Sequence, residues 1–351
     1  MFNFFSCKTR SLARSALLAL FALGLLPLGA CDTHKTVEVP PVLPLVDAST
    51  DQLISEINRL AVVKSIHGRL DIKFEDTSFA TTGMAEEYRA ADAVVTLQRP
   101  GKVYLEIQFA FVDIARMTSD GTRFRVAILK GDEKYKRFVK GTNNAVYAKL
   151  NGDGSRSDPK KQKPMGEKET VNALSNLRPQ HLTDALMIRA IQPAADAGLI
   201  YSRSEFYQEE ADPRPGAKKG ARVVHGYYLL EELSQTSPGE AHLNRRMWFD
   251  RVGSIRLARL QTFDDRGLLV TDVSYSDEKS FGEGGRITLP SRIVLTRPQD
   301  HYKLSLTYQA PESVILDREY PSEAFVLENK WQLPVVDLDA PKEAPASSPN
   351  P

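Results

Sequence analysis

Cysteine is nearly absent from this sequence: the chain of 351 residues contains only Cys7 and Cys31. Cys7 lies in a cationic and apolar leader, so a chain cut after that leader keeps one sulfur and forms no internal disulfide. An exported protein without disulfides must hold its fold by burial alone. The role of Cys31 therefore has to be found outside disulfide chemistry.

An excess of charge of one sign is also lacking. The chain has 46 Lys and Arg against 45 Asp and Glu, a net charge of +1. Loss of Lys8, Arg10 and Arg14 with the leader leaves 43 basic and 45 acidic residues, a net charge of −2. A chain so close to neutral has no electrostatic footprint for nucleic acid. We expect no nucleic-acid partner.

Motifs for catalysis are missing as well. The sequence contains no G-x-S-x-G, H-E-x-x-H, C-x-x-C or G-x-x-x-x-G-K-[ST] pattern. The six histidines lie apart, without metal-ligand spacing: His34, His67, His181, His225, His242 and His301. Adjacent acids such as Glu209 and Glu210 point to opposite faces of a strand. These patterns predict a protein that is not an enzyme, with no catalytic residue, metal or cofactor.

The apolar run at residues 16–30 is too short for a membrane-spanning helix. It is interrupted by Gly24, Pro27 and Gly29 and falls below the ~18 to 20 residues that cross a bilayer core. Basic residues precede it and small residues end it, which is the layout of a secretory signal. Residues 1–30 are therefore predicted to be a signal peptide.

The end of this signal, Leu28-Gly29-Ala30-Cys31, resembles the bacterial lipobox. In that motif the cysteine thiol receives a diacylglyceryl group, and the chain is then cut between the residues that are here Ala30 and Cys31. The resemblance implies a mature protein that begins at Cys31 and is held by several fatty chains, which gives stable anchoring where one chain does not. The alternative is a Cys packed as a small hydrophobe in an ordinary signal peptide.

The lipobox implies a lipid-anchored protein that faces the periplasm in the cell envelope, with the membrane as its partner through acylated Cys31. Asp32 resembles the signal that retains lipoproteins in the inner membrane of enterobacteria. That signal differs between bacterial groups, so the inner and the outer membrane both stay open.

The rest of the chain divides by composition. Residues 31–48 contain Pro40, Pro41 and Pro44 and are predicted to be a Pro-rich tether. Residues 334–351 are rich in Pro, Ser and Ala and are predicted to be a disordered tail. The folded domain is expected at residues 49–333, with a polar insertion at about 151–169 that has almost nothing to bury.

The domain opens with one helical pattern and continues mainly with alternating ones. Ser49 and Gln52 can form a capping box before an amphipathic helix. A second helical pattern follows Pro179 and extends to residues 188–191. Period-2 alternation predicts strands at residues 70–74, 103–109, 122–129, 135–140, 144–150, 202–208, 221–231, 244–250, 254–263, 267–275, 286–297 and 301–309. This order predicts a mainly β (α+β) fold, a large curved antiparallel sheet or half-open β-barrel with helices covering its concave side.

Several stretches are similar to the LolA/LolB-type lipoprotein-sorting family. They are the opening helix, "GRLDIKF", "VVTLQRPGKVYLEI" with its Arg-Pro turn, "MTSDGTRFRVAI" with its Asp-Gly hairpin, "RRMWFDRVGSIRLARLQTFDDRGLLVTDVSYSD" and "LPSRIVL". The resemblance implies a half-open barrel whose hollow holds acyl chains beneath covering helices. No stretch can be matched to the exposed apolar membrane-inserting loop of the family's receptor member.

The resemblance predicts an apolar barrel cavity that binds lipid or lipoprotein acyl chains, in envelope lipoprotein or lipid trafficking. Its candidate lining is Leu70, Ile72, Phe74, Val103, Leu105, Ile107 and Phe109. The same side chains would equally form a dry core. Two alternatives stay open, an interaction subunit of an envelope assembly that binds no ligand and, less favoured, an envelope hydrolase whose carboxylates converge in a cleft.

Overall fold

The computed structural model describes residues 40–77, 86–87, 90–131, 133, 136–143, 145, 177–192 and 198–340. The predicted signal peptide, Ala30, Cys31, the polar insertion at 151–169 and nearly all of the predicted strand at 144–150 lie outside these ranges. The chain divides into residues 1–40 and residues 41–351, and the fold described here is that of the second unit.

Two α-helices and sixteen strands form this unit within the described ranges. In chain order they are α1 (Thr50–Ala61), β1 (Ser65–Asp76), β2 (Glu86–Glu87), β3 (Ala91–Gln98), β4 (Lys102–Phe109), β5 (Val112–Asp120), β6 (Arg123–Ile128), β7 (Arg137–Thr142), α2 (Pro179–Leu186), β8 (Leu199–Ala211), β9 (Arg222–Ser237), β10 (Glu240–Asp250), β11 (Arg256–Phe263), β12 (Leu269–Phe281), β13 (Ile287–Arg297), β14 (Tyr302–Tyr308), β15 (Ile315–Leu316) and β16 (Val335–Asp337). Short 3-10 helices occur at Pro311–Ser313 and Ser322–Phe325.

All sixteen strands belong to one sheet. Its order is β16-β7-β6-β5-β4-β3-β1-β14-β13-β12-β11-β10-β9-β8, with β2 and β15 paired to β1 outside this path. Every pairing is antiparallel except that of β16 with β7. The end strands β16 and β8 do not pair with each other, so the sheet stays open. The predicted fold class is confirmed.

The sheet curves around α2. This helix contacts β4 and β5 on one side and β13 on the other. In the sheet order β5 and β13 are five strand spacings apart, which is about 24 Å on a flat sheet. A helix of eight residues is only about 12 Å long. We call the face that packs on the helices the inner face.

The local sequence accounts for these elements. Ser49 caps α1 as predicted: its Oγ accepts from the backbone N of Gln52 at 3.3 Å, and its own N donates to Oε1 of Gln52 at 2.7 Å. Alternation in β1 buries Leu70, Ile72 and Phe74 on the inner face. The predicted Asp-Gly hairpin is the β5–β6 turn, where Gly121 has a φ of 100°, a conformation that suits glycine.

The second helix is shorter than predicted. It ends at Leu186, and residues 187–191 belong to neither a helix nor a strand, so the helical interpretation of residues 188–191 is wrong. We call Met187–Ile191 the strap. Its backbone groups are bonded by side chains from elsewhere in the fold instead of by further helical turns, and these longer-range bonds override the local helical pattern.

Both flanks of the predicted domain pack onto the sheet. Leu43 is buried, and its N donates to the Val224 carbonyl at 3.2 Å, so the predicted tether packs on the sheet at this residue. At the other flank, β16 lies inside the predicted tail. The segment before β16 covers the outer face of β4 to β7, where Phe325 is fully buried and Leu327 packs on Ala127 and Phe138.

Candidate functional site

A small apolar hollow lies between the helices and the inner face. Its volume is about 30 Å³, room for roughly two water-sized spheres. We call it the inner hollow. It is lined by Leu60, Val63, Ile66, Ala185, Leu186, Ile188, Tyr275, Leu289, Pro290, Ile293 and Tyr308. In this closed arrangement an acyl chain can enter only if part of the wall moves.

Helix α2 and the strap form the side of that wall that faces the sheet, through Ala185, Leu186 and Ile188. The Arg99 guanidinium donates to the carbonyls of Val63 at 2.9 Å, Met187 at 3.3 Å and Ile188 at 2.7 Å. Asn58 of α1 donates to the Ile191 carbonyl at 2.9 Å and accepts from its N at 2.8 Å. Polar bonds from the β3–β4 turn and from α1 therefore hold the strap.

Two tyrosines of the sheet hold α2 itself. Tyr275 donates its hydroxyl to the Ala185 carbonyl at 3.0 Å, and Tyr302 is hydrogen-bonded to Nδ1 of His181. Burial, helped by the charges of Arg297 and Arg178, holds the pKa of His181 well below its usual range. The imidazole is therefore neutral near pH 7, which lets it bond the tyrosine without an uncompensated buried charge.

A larger groove opens beside the inner hollow, with a volume of about 810 Å³. We call it the outer groove. Its walls are Glu56, Asn58, Arg59, Val62, Val63, Ser254, Ile255, Arg256, Glu278, Arg286, Ile287, Thr288, Leu316 and Asp317. Val63 belongs to the walls of both the groove and the hollow. A side pocket of about 180 Å³ shares Arg256 and Glu278 with the groove and Tyr275 and Pro290 with the hollow.

Glu278 stands between two arginines in this groove and forms a long ion pair with each, without a hydrogen bond to either. Its carboxylate oxygens lie 3.8 Å from Nη2 of Arg59 and 3.9 Å from Nη1 of Arg256. The pKa of Glu278 is raised above its usual range: burial is the largest cause and Glu56 and Asp250 add to the rise, whereas the charges of Arg256 and Arg59 oppose it. Carboxylates do converge here, as an envelope hydrolase requires. However, Glu56 is bonded to Arg59, and Asp250 to His225 and Arg256.

The predicted cavity residues have a different location. Leu70, Ile72, Phe74, Val103, Leu105 and Ile107 are buried in the core, and Phe109 packs half-buried against it. None of the seven lines the hollow, the groove or the side pocket. Their role as an acyl-chain lining therefore stays a prediction, and the residues around the hollow are ones that sequence reasoning did not select.

One exposed aromatic turn was also missed. In the β4–β5 hairpin Ala110 and Phe111 have φ values of 48° and 66°, and the Phe111 side chain is 98 % exposed. Such a turn is usually marked by Gly, Asn or Asp, and none occurs here. The Phe111 turn lies beside the C-terminal end of β1. Val62 and Val63 of the groove come just before the N-terminal end of the same strand. The turn and the groove are therefore at opposite ends of the sheet.

The described residues contain neither a metal-binding cluster nor a helix suited to crossing a membrane. Within the described ranges, no group of three or more His, Cys, Asp or Glu side chains is placed to hold a metal ion. In the same part of the chain, no helix has both the length and the apolarity needed to cross a membrane.

Comparison with known proteins finds similarity only among solved structures, since no family model and no curated protein matches. A DUF1329 family protein from Desulfovibrio piger has 11% identity and a TM-score of 0.40, covering 78% of this chain and 95% of that one. A LolA superfamily protein from Nitrosomonas europaea has 11% identity and a TM-score of 0.40, covering 80% and 99%.

A third solved structure, named as an outer membrane lipoprotein-sorting protein domain, comes from Vibrio parahaemolyticus. It has 9% identity and a TM-score of 0.37, covering 78% of this chain and 94% of that one.

Proposed function

We propose that this protein is a membrane-anchored envelope lipoprotein that binds lipid or lipoprotein acyl chains between its curved sheet and its helices. The observation that carries the proposal is the apolar inner hollow, which meets the outer groove at Val63. Acyl chains form no hydrogen bonds, so an apolar hollow can hold them. Each CH2 group that is buried stabilises the complex by about 0.8 kcal/mol.

Binding requires α2 and the strap to move. The hollow of about 30 Å³ is far smaller than a fatty chain. Among the described residues, polar bonds from Arg99, Asn58, Tyr275 and Tyr302 and the ion pair of Arg189 with Glu232 hold this wall to the rest of the fold. Displacing α2 would open the apolar side chains beneath it to a chain that enters from the outer groove.

The first experiment measures lipid uptake. The Cys31→Ser protein, purified from cells without detergent, should carry lipid in native mass spectrometry and take up a fluorescent fatty-acid probe. Ala185→Leu places a larger side chain in the hollow and should weaken probe binding about tenfold or more, because its methyl groups occupy the space that the probe needs.

Ala127→Leu is the matched control for that variant. Ala127 is equally buried, but it packs under Phe138 and Leu327 on the outer face. It should cost similar stability and leave probe binding unchanged. Recovery of only the bare polypeptide, with no probe uptake by the protein, would overturn the lipid-binding proposal.

Cys31 carries the anchoring part of the proposal. Cys31→Ser should move the protein from the membrane fraction to the soluble periplasmic fraction, because the acylated thiol is the attachment that the lipobox resemblance implies. Cys7→Ser is the control and should leave the protein in the membrane fraction. Unchanged membrane association of the Cys31→Ser protein would contradict the anchor.

A second candidate function is an interaction subunit of an envelope assembly. The near-closed hollow and the exposed Phe111 turn are the observations that favour it. The two candidates differ in one result: the interaction subunit takes up no fatty-acid probe.

A further inference from the structure

The outer groove carries formal charges of both signs. Arg59, Arg256 and Arg286 line it together with Glu56, Glu278 and Asp317. Its volume of about 810 Å³ is typical of a small-molecule site. A ligand with a single negative charge would meet three carboxylates here, and a ligand with a single positive charge would meet three guanidinium groups. The balance of charges favours a ligand that itself carries both signs.

Some of these charges are already bonded inside the protein. Glu56 holds Arg59 through two hydrogen bonds, of 2.7 and 2.9 Å. The Asp317 carboxylate accepts from the backbone N of Lys64 at 2.7 Å. These three side chains therefore form part of the groove wall, and their polar atoms are largely occupied by bonds within the protein.

Other charges have unused bonding capacity. Arg286 is exposed and makes no ion pair or hydrogen bond with any residue that the structure describes. Among the same residues Arg256 donates only through Nη2, to Asp250 at 3.1 Å and to the Val252 carbonyl at 3.3 Å. Glu278 accepts no hydrogen bond there and is paired with Arg59 and Arg256 only at 3.8 and 3.9 Å. The groove thus offers guanidinium donors and one carboxylate acceptor.

The groove also has apolar walls toward the hollow. Ile255, Ile287, Leu316 and Val62 lie among its charged residues, and Val63 connects it to the apolar inner hollow. A ligand that matches the whole site has a charged end with both signs and an apolar tail.

We propose that the outer groove binds the headgroup of a zwitterionic phospholipid, with the phosphate on Arg286 and Arg256, the ammonium on Glu278, and an acyl chain in the inner hollow. The inference rests on the proposed acyl-chain binding and adds the class of lipid that is selected. A phosphate pairs well with guanidinium forks, and an ammonium supplies the donor that Glu278 lacks.

The test compares short-chain lipids by titration calorimetry with the Cys31→Ser protein. Dihexanoyl phosphatidylethanolamine should bind about tenfold tighter than dihexanoyl phosphatidylglycerol, which has the same tails and phosphate but no ammonium. Glu278→Gln should remove this preference, and Arg286→Ala should weaken both lipids. The control Glu283→Gln changes an exposed acid of the β12–β13 turn outside the groove and should change neither affinity.

Protonation of Glu278 gives a second readout. The charged groups that face it are Arg59 and Glu56 from α1, Asp250 from β10 and Arg256 from β11. Its carboxylate must be ionised to hold the ammonium, and its pKa is raised. The preference for the ethanolamine lipid should therefore be lost as pH falls through that raised pKa, at a higher pH than an ordinary glutamate would give.

The outcomes separate the two proposals. Equal binding of both lipids, unaffected by Glu278→Gln, would overturn headgroup selection while acyl-chain binding stands. If O-phosphoethanolamine alone binds as tightly as the lipid, the ligand is a soluble zwitterion and the lipid assignment fails. Failure of both lipids and of the fatty-acid probe would remove the proposed function itself.

Discussion

Replacing Glu232 by alanine should lower the free energy of unfolding by about 3 to 5 kcal/mol, a large part of the stability of a domain. Glu232 is 1% exposed in β9, where it accepts from Nε of Arg245 at 3.0 Å and from Nη2 of the same residue. Arg189 of the strap donates to its other oxygen at 2.9 Å. Without the carboxylate, the buried Arg245 charge has no counter-ion. Urea unfolding followed by circular dichroism measures the loss.

The neighbouring residue provides a control for Glu232→Ala. Glu231 also pairs with an arginine, Arg246, at 2.7 Å, but the two side chains are 23% and 33% exposed, on the opposite face of the strand. Glu231→Ala should therefore cost only about 0 to 1 kcal/mol. Replacing Glu232 and Arg245 together by Leu and Met should recover most of the loss, since no buried charge then remains. If Glu231→Ala and Glu232→Ala lower the free energy of unfolding by similar amounts, burial of the Glu232–Arg245 pair does not explain the loss.

The strands could be predicted because a strand that is buried on one face has alternating apolar and polar residues. Leu70, Ile72 and Phe74 alternate with polar residues, and they form the inner face of β1. The Ser49 capping box could be predicted for a similar reason, since both of its bonds lie within four residues. Features that depend only on near neighbours in the chain are visible before folding.

The strap is a segment whose structure could not be predicted from local sequence patterns. Ile188 and Ile191 have helical spacing after α2, yet their backbone groups bond to Arg99 and Asn58. These partners are 89 and 133 residues away in sequence. Local periodicity carries no information about partners that are so far away in the sequence. The helix predicted from it is therefore about one turn longer than the helix in the structure.

The lining of the inner hollow could not be predicted from the sequence for a related reason. Alternation indicates which side chains are buried, but it does not indicate which of them face unfilled space. That depends on where α2 ends above the sheet, so the hollow lies against Tyr275, Ile293 and Tyr308 and not against the predicted side chains of β1 and β4. The charges of the groove come from separate segments that only the sheet topology brings together.

Replacing Arg99 by leucine should open the wall of the inner hollow. Its guanidinium donates to three carbonyls, those of Val63, Met187 and Ile188, and hydrogen bonds from a charged group contribute about 1.5 to 3 kcal/mol each. Loss of about 3 kcal/mol of local stability corresponds to roughly a hundredfold faster amide exchange in the strap. Hydrogen exchange read by mass spectrometry should show this at Met187 and Ile191, with strands such as β12 unchanged.

Arg69→Leu is the matched control for Arg99→Leu. Arg69 lies in the neighbouring strand β1, and its exposed side chain makes no hydrogen bond or ion pair with any described residue. It should leave exchange in the strap unchanged. If the strap is the entry to the hollow, Arg99→Leu should also speed uptake of the fatty-acid probe, because the closed state loses stability relative to the open one. Faster exchange without faster uptake would mean that acyl chains enter by another route, since the wall would then open without admitting them.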